Sequence, residues 1–145
     1  SINFALNNDD GLSTKNYEHA DIILTGVSRS GKTPTCLFLA LQYGIYAANY
    51  PLIDEDLDSV KLPSVLKPFK NKLYGLSINP VRLQNIRGER RSNSGYASIE
   101  QCQKEVRRAE DMYVQNNVPF IDTSHISIEE IAGRILQKSK LERRY

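Results

Sequence analysis

Residues 26–33, GVSRSGKT, have the types and spacing of a loop that binds phosphate, matching the pattern G-x-x-x-x-G-K-[ST] without a gap. The glycines let the backbone turn tightly, so that successive N–H groups converge on one anion. The ammonium group of Lys32 is expected to reach the terminal phosphates, and the hydroxyl of Thr33 to hold Mg²⁺. The predicted nucleotide-binding residues are Gly26, Val27, Ser28, Arg29, Ser30, Gly31, Lys32 and Thr33. For Arg29 the sequence leaves two roles open, a phosphate contact and a solvated charge.

Other motifs narrow the class of nucleotide-binding protein. A GTP-binding switch protein normally carries an Asn-Lys-x-Asp motif that recognises guanine. Asn71-Lys72 is followed here by Leu-Tyr, so this motif is missing from the sequence. A motor-type ATPase would show an apolar run ending in aspartate on a neighbouring strand. The nearest candidate is PFID, which ends at Asp122. Acidic residues at strand ends are common, so this motif is a weak indication.

Three arginines, Arg87, Arg90 and Arg91, lie close together in a predicted helix. Arg87 shares a helix face with the other two because they follow it by three and four positions. Phosphoryl transfer requires that the negative charge of the transferred group be neutralised, and the planar guanidinium of arginine binds two phosphate oxygens at once. These arginines are therefore candidates for a clamp on phosphate. The alternative is a solvated helix face, since Glu89 and Glu100 are nearby.

An acidic turn, Asp9-Asp10-Gly11, precedes the first predicted strand. A carboxylate such as that of Asp10 could orient a hydroxyl nucleophile or a water bound to Mg²⁺. The alternative is an ordinary Asp-Gly turn. The residues alone leave both interpretations open.

Strands alternating with helices must position these residues. Apolar runs predict strands at 21–25, 45–52, 72–78 and 118–122, the second ended by Pro51. Capping residues and apolar periodicity predict helices at 34–43, 80–91, 98 to about 117 and 127–140, and residues 53–71 are expected to be irregular. This alternation predicts an α/β fold, a parallel sheet with helices on both faces. Ligands of such sheets bind at the carboxyl ends of the strands, where the glycine-rich loop lies.

The length and composition predict a single domain over residues 1–145. Because the sequence starts without Met and inside an apolar segment, we expect it to be the tail of a longer polypeptide. A net charge of +2 is too balanced to indicate a nucleic acid or a membrane surface as partner. No apolar run approaches the roughly 20 residues of a membrane helix. Cys36 and Cys102 fall in helical segments as core residues without a closely spaced partner, which indicates a reducing, cytoplasmic location.

Four segments of the chain closely resemble the bacterial phosphoenolpyruvate synthase regulatory proteins, also called phosphoenolpyruvate synthetase kinase/pyrophosphorylases. The segments are ADIILTGVSRSGKTPTCLFLALQYGIYAANYPL, KLYGLSINPVRL, IRGERRSNSGYASIEQCQKEV and SIEEIAGRIL. The match covers nearly the whole chain and is more specific than the phosphate loop alone. It implies a P-loop kinase-like sheet and a cytoplasmic enzyme with two activities.

One implied activity transfers the β-phosphate of ADP to a threonine of phosphoenolpyruvate synthase and inactivates that enzyme. The other uses inorganic phosphate to remove the threonine phosphate, releasing pyrophosphate. Related proteins act on pyruvate, phosphate dikinase, but the amino-acid sequences of these segments resemble the branch of the family that acts on the synthase. By this resemblance residues 26–33 bind ADP with Mg²⁺, and the Asp9–Gly11 turn and the IRGERR segment match family motifs. The predicted catalytic residues are Lys32, Asp10, Arg87, Arg90 and Arg91.

Two positions depart from the family pattern: Gly95 stands where arginine is expected, and Asp122 where asparagine is common. Two other functions remain open. One is a small-molecule kinase of the nucleoside-monophosphate or shikimate type, and the other is a nucleotide-sensing module without chemistry. The sequence also leaves open whether the chain forms a homo-oligomer.

Overall fold

The structure, a computed structural model, describes residues 17–91 and 97–139. In these residues four parallel strands form one sheet. Their order is β2-β1-β3-β4, and every pair of neighbours is parallel. The strands are β1 (Ile22–Val27), β2 (Ala47–Leu52), β3 (Leu73–Ser77) and β4 (Phe120–Asp122). The predicted parallel α/β sheet is confirmed.

In the described residues three α-helices connect the strands and a fourth follows β4, and residues at their ends determine where they begin or end. They are α1 (Lys32–Tyr43), α2 (Pro80–Arg91), α3 (Ile99–Gln115) and α4 (Ile128–Ser139). Gly44 ends α1 in the left-handed conformation, with φ of 65°. Asn79 Oδ1 accepts the Val81 N–H at 2.8 Å, and Ser98 Oγ accepts the Gln101 N–H at 3.2 Å. Within the described ranges, no helix combines the length and apolar character that crossing a membrane requires.

Helices cover both faces of the sheet, as predicted for a P-loop kinase-like fold. Ile22 and Leu24 of β1 join a buried cluster with residues of α1 and α4, among them Cys36. Ile23 and Val27 join a second cluster with α3, which includes Cys102. The alternation arises because successive side chains of a strand point to opposite faces. Both cysteines are buried, as expected for core residues.

Two expectations about the chain after α1 were wrong. Pro51 does not end the second strand; it lies within β2, in register with Gly26 of β1. β2 is at the edge of the described sheet, the position at which a proline is tolerated within a strand. The segment that follows is not wholly irregular, since it holds 3₁₀ helices at Asp56–Asp58 and Ser64–Lys72. Leu57 and Leu66 anchor these helices in the core.

Two tyrosines make the fold sensitive to alkali. Burial raises the pKa of both Tyr17 and Tyr50 to about 12. The phenolate is therefore disfavoured in the folded state, and the stability contributed by the neutral phenols is complete below pH ~10 and lost as the pH rises towards 12. We expect the urea midpoint, followed by circular dichroism, to fall across this window. The fall should be shallower in Tyr17→Phe, and equal slopes for the two proteins would contradict this explanation.

Candidate phosphate-binding site

The glycine-rich loop connects β1 to α1 at the carboxyl end of a central strand. From β1 the chain passes to β2 on one side, whereas β3 is followed by β4 on the other. The strand order thus reverses beside β1, and ligands of open α/β sheets lie at such a reversal. The fold places the predicted loop at the position where a ligand is expected.

Close packing beneath the loop excludes a side chain at Gly26. A Cβ there would lie 2.7 Å from Ser30 Oγ and 2.9 Å from the carbonyl oxygen of Leu76 in β3. Later in the loop, Arg29 and Gly31 have left-handed backbones, with φ of 71° and 100°. Turns of this kind direct successive N–H groups to one side and form an anion-binding concavity.

Lys32 closes the loop from below. Its side chain is buried, and Nζ donates to the Val27 carbonyl oxygen at 2.7 Å. The same carbonyl accepts the Ser30 N–H at 3.2 Å and the Ser30 hydroxyl at 2.8 Å. The carbonyl orients the amino group of Lys32. Lys32 Nζ is therefore held at the base of the loop.

A cavity of about 320 Å³ opens above the loop, a size within the ordinary range of small-molecule sites. Five predicted loop residues line it, whereas Gly26, Val27 and Ser30 are buried and do not line it. The lining residues are Ser28, Arg29, Gly31, Lys32, Thr33, Pro34, Asn49 and Pro51. The structure brings most of the predicted nucleotide-binding segment to one concave surface.

Thr33, the predicted Mg²⁺ ligand, lies beside Asn49 of β2. The Asn49 amide donates from Nδ2 to Thr33 Oγ1 at 3.3 Å, and its side chain is buried. The Thr33 hydroxyl oxygen is a hard donor of the kind Mg²⁺ prefers and fits the ion, whereas Asn49 turns its amide nitrogen towards that hydroxyl. The sequence alone does not single out Asn49. The available signal is a polar residue within the apolar run of β2.

Arg87 contacts the loop from beneath the cavity. Its guanidinium is fully buried, with Nη2 2.9 Å from Glu105 Oε1 and Nη1 3.1 Å from Oε2. Nη2 also donates to the Ser28 carbonyl oxygen at 3.0 Å. Arg87 thus reaches the predicted site, and its contacts there are with protein groups; the phosphate contact stays a prediction. Glu105 is not singled out by the motifs, although it interrupts the apolar stripe of α3 three residues after Cys102.

Of the remaining predicted residues, Asp10 and Gly95 fall outside the described residues, as do the side chains of Arg90 and Arg91. Asp122 ends β4, which β3 separates from β1, and its Oδ1 accepts the Ser124 N–H at 2.8 Å. Asp122 lines a different cavity, between α2 and α3, so the geometry does not favour the motor-type ATPase.

The amino-acid sequence matches the family model described as Kinase/pyrophosphorylase over residues 1–136. A protein of Neisseria gonorrhoeae (strain NCCP11945) is 59% identical over 145 residues, which is 100% of this chain and 53% of that protein. One of Dichelobacter nodosus (strain VCS1703A) is 59% identical over all of this chain and 54% of its own length. A protein of Laribacter hongkongensis (strain HLHK9) is 57% identical over 100% of this chain and 53% of its own length.

These relatives bear the provisional name phosphoenolpyruvate synthase regulatory protein. The chain spans about half the length of the curated relatives it matches. The family model covers most of the chain, including the phosphate loop, α2 and α3. The chain therefore belongs to the kinase/pyrophosphorylase family.

Proposed function

We propose that the chain provides the nucleotide site of a cytoplasmic, bifunctional regulator of phosphoenolpyruvate synthase. In one direction it transfers the β-phosphate of ADP to a threonine of the synthase. In the other it removes that phosphate with inorganic phosphate. The observation that carries the proposal is the loop cavity, in which Lys32 and Thr33 face the same space at the carboxyl end of β1. The family membership and the name of the relatives support the choice of reaction and partner.

The forward step is a displacement at the β-phosphorus of ADP. The threonine oxygen forms a bond to this phosphorus, the bond to the bridging oxygen breaks, and AMP leaves. The loop N–H groups and the Lys32 ammonium stabilise the negative charge on the transferred group. The Thr33 hydroxyl would hold Mg²⁺, which would supply further charge neutralisation. The threonine proton passes to a base, for which Asp10 is the proposed residue.

The reverse step uses the same cations. An oxygen of inorganic phosphate attacks the phosphothreonine phosphorus, the bond to the threonine oxygen breaks, and pyrophosphate leaves while the threonine hydroxyl regains a proton. Because both directions pass through a transferred phosphoryl group, one cationic site serves both. Lys32 and Arg29 line that site, and Arg90 and Arg91 are proposed to add phosphate contacts.

The deciding experiment incubates the protein with purified phosphoenolpyruvate synthase, ADP and Mg²⁺, and then adds inorganic phosphate. We expect mass spectrometry to find a phosphorylated threonine that disappears in the second stage, with release of pyrophosphate. ATP in place of ADP is the control for the phosphate donor. An unmodified synthase together with a phosphorylated metabolite would indicate a small-molecule kinase. ADP binding without any turnover would indicate a nucleotide-sensing module.

A further inference from the structure

We infer that the buried Arg87–Glu105 pair is a positioning device for the phosphate loop: it fixes the Ser28 carbonyl and thereby orients the Arg29 N–H. The inference rests on the proposed function, because it assigns the pair a role in holding the diphosphate. Arg87 then acts on the nucleotide through the loop backbone instead of contacting phosphate itself.

The contacts of Arg87 are specific and long-range. The guanidinium forms a bidentate ion pair with Glu105. It also donates a hydrogen bond to the carbonyl oxygen of Ser28, which lies 59 positions away in the sequence. The side chain has 0% relative exposure. Burying such a pair costs desolvation energy, and an apolar pair of similar volume often gives equal or greater stability. Stability alone therefore gives no reason for a charged pair at this position.

Peptide geometry explains what the pair achieves. A trans peptide is planar, so the Ser28 carbonyl and the Arg29 N–H point in opposite directions. Arg87 holds the carbonyl oxygen towards α2 and α3, and the Arg29 N–H must therefore point away from these helices. Ser28 and Arg29 both line the cavity, and Arg29 has the left-handed φ of 71°. The pair thus presets one donor of the anion-binding concavity.

A third side chain holds Glu105 in place. Gln101, in the first turn of α3, donates from Nε2 to Glu105 Oε2 at 2.8 Å and to Asp54 Oδ1 at 3.2 Å. Asp54 follows β2, the strand beside β1. The carboxylate of Glu105 is therefore held by Arg87 of α2 and by Gln101, and Gln101 is itself bonded to the segment after β2. This framework keeps the Ser28 carbonyl at a fixed position relative to the sheet.

The test replaces the pair with apolar residues of similar volume, in the double variant R87M/E105L. We expect a melting midpoint close to the parent value but a Kd for ADP with Mg²⁺ about 10- to 100-fold higher, the range associated with a hydrogen bond to a charged group. The matched control is R108M/D58L. Arg108 also contacts a carboxylate and a backbone carbonyl, at 3.8 Å to Asp58 and 3.1 Å to Leu57, but it does not line the cavity.

A folded R87M/E105L variant with parental ADP affinity would overturn the inference and leave the proposed function standing. Absence of ADP binding in the parent would instead refute the proposed function. A second measurement applies even when the variant does not fold. The amide resonance of Arg29 in the ¹⁵N-labelled parent should shift on titration with pyrophosphate, and an Arg29 amide that does not respond to bound pyrophosphate would also overturn the inference.

Discussion

Alanine at position 32 is expected to abolish both proposed activities, with each rate reduced by about 10³-fold or more. Lys32 is the buried cation at the base of the loop, and its Nζ is held by the Val27 carbonyl at 2.7 Å. Removing one preorganised charge-stabilising donor from an enzyme commonly costs 10²–10³ in rate. Here the lost group carries a full charge and also helps to close the loop, so the upper end of that range applies.

The measurement is threonine phosphorylation and phosphate-dependent release of pyrophosphate by Lys32→Ala and the parent. Lys72→Ala is a matched control, because Lys72 Nζ also donates to backbone carbonyls, those of Tyr17 at 2.9 Å and Glu18 at 2.8 Å. This control should keep both rates. Loss of the kinase step with a full phosphate-dependent rate in Lys32→Ala would show that the two reactions do not share one site.

The loop and the helix ends were predictable because their causes are local. The pattern of residues 26–33 depends on glycines and a lysine at fixed spacing, and the caps at Asn79 and Ser98 satisfy N–H groups two or three residues away. Each of these signals is contained within a few consecutive residues. Strand burial on both faces of β1 is equally visible, because the strand begins with three consecutive apolar residues, Ile22 to Leu24.

The partners of the loop were not predictable because they come from distant segments. Helical spacing indicates which arginines share a face, but it does not tell whether that face meets water or the core. Arg87 is buried against α3 because Glu105 offers a carboxylate there, and this pairing joins residues 18 positions apart. Asn49 reaches Thr33 only because β2 pairs with β1. Likewise, the tolerance of Pro51 depends on the edge position of β2 in the sheet.

Substitution of Gly26 by alanine is expected to damage the site through the backbone. The added Cβ would lie 2.9 Å from the Leu76 carbonyl oxygen, which belongs to β3 and has little freedom to move. It would lie 2.7 Å from Ser30 Oγ, so that the hydroxyl must give up its bond to the Val27 carbonyl. Overpacking of this kind costs about 1–3 kcal/mol. We expect a lower melting midpoint and an ADP affinity reduced by about 100-fold, because several loop donors lose their common orientation.

Gly133→Ala separates this effect from a general intolerance of alanine. Gly133 lies on α4, and a Cβ there meets nothing within 4 Å. Since alanine is favoured over glycine in a helix interior, this control should gain about 0.5–1 kcal/mol and keep its ADP affinity. Calorimetry with ADP and Mg²⁺ and thermal unfolding decide the comparison. If Gly26→Ala bound ADP as tightly as Gly133→Ala, the close packing of β1 against Ser30 and Leu76 would not be what shapes the loop.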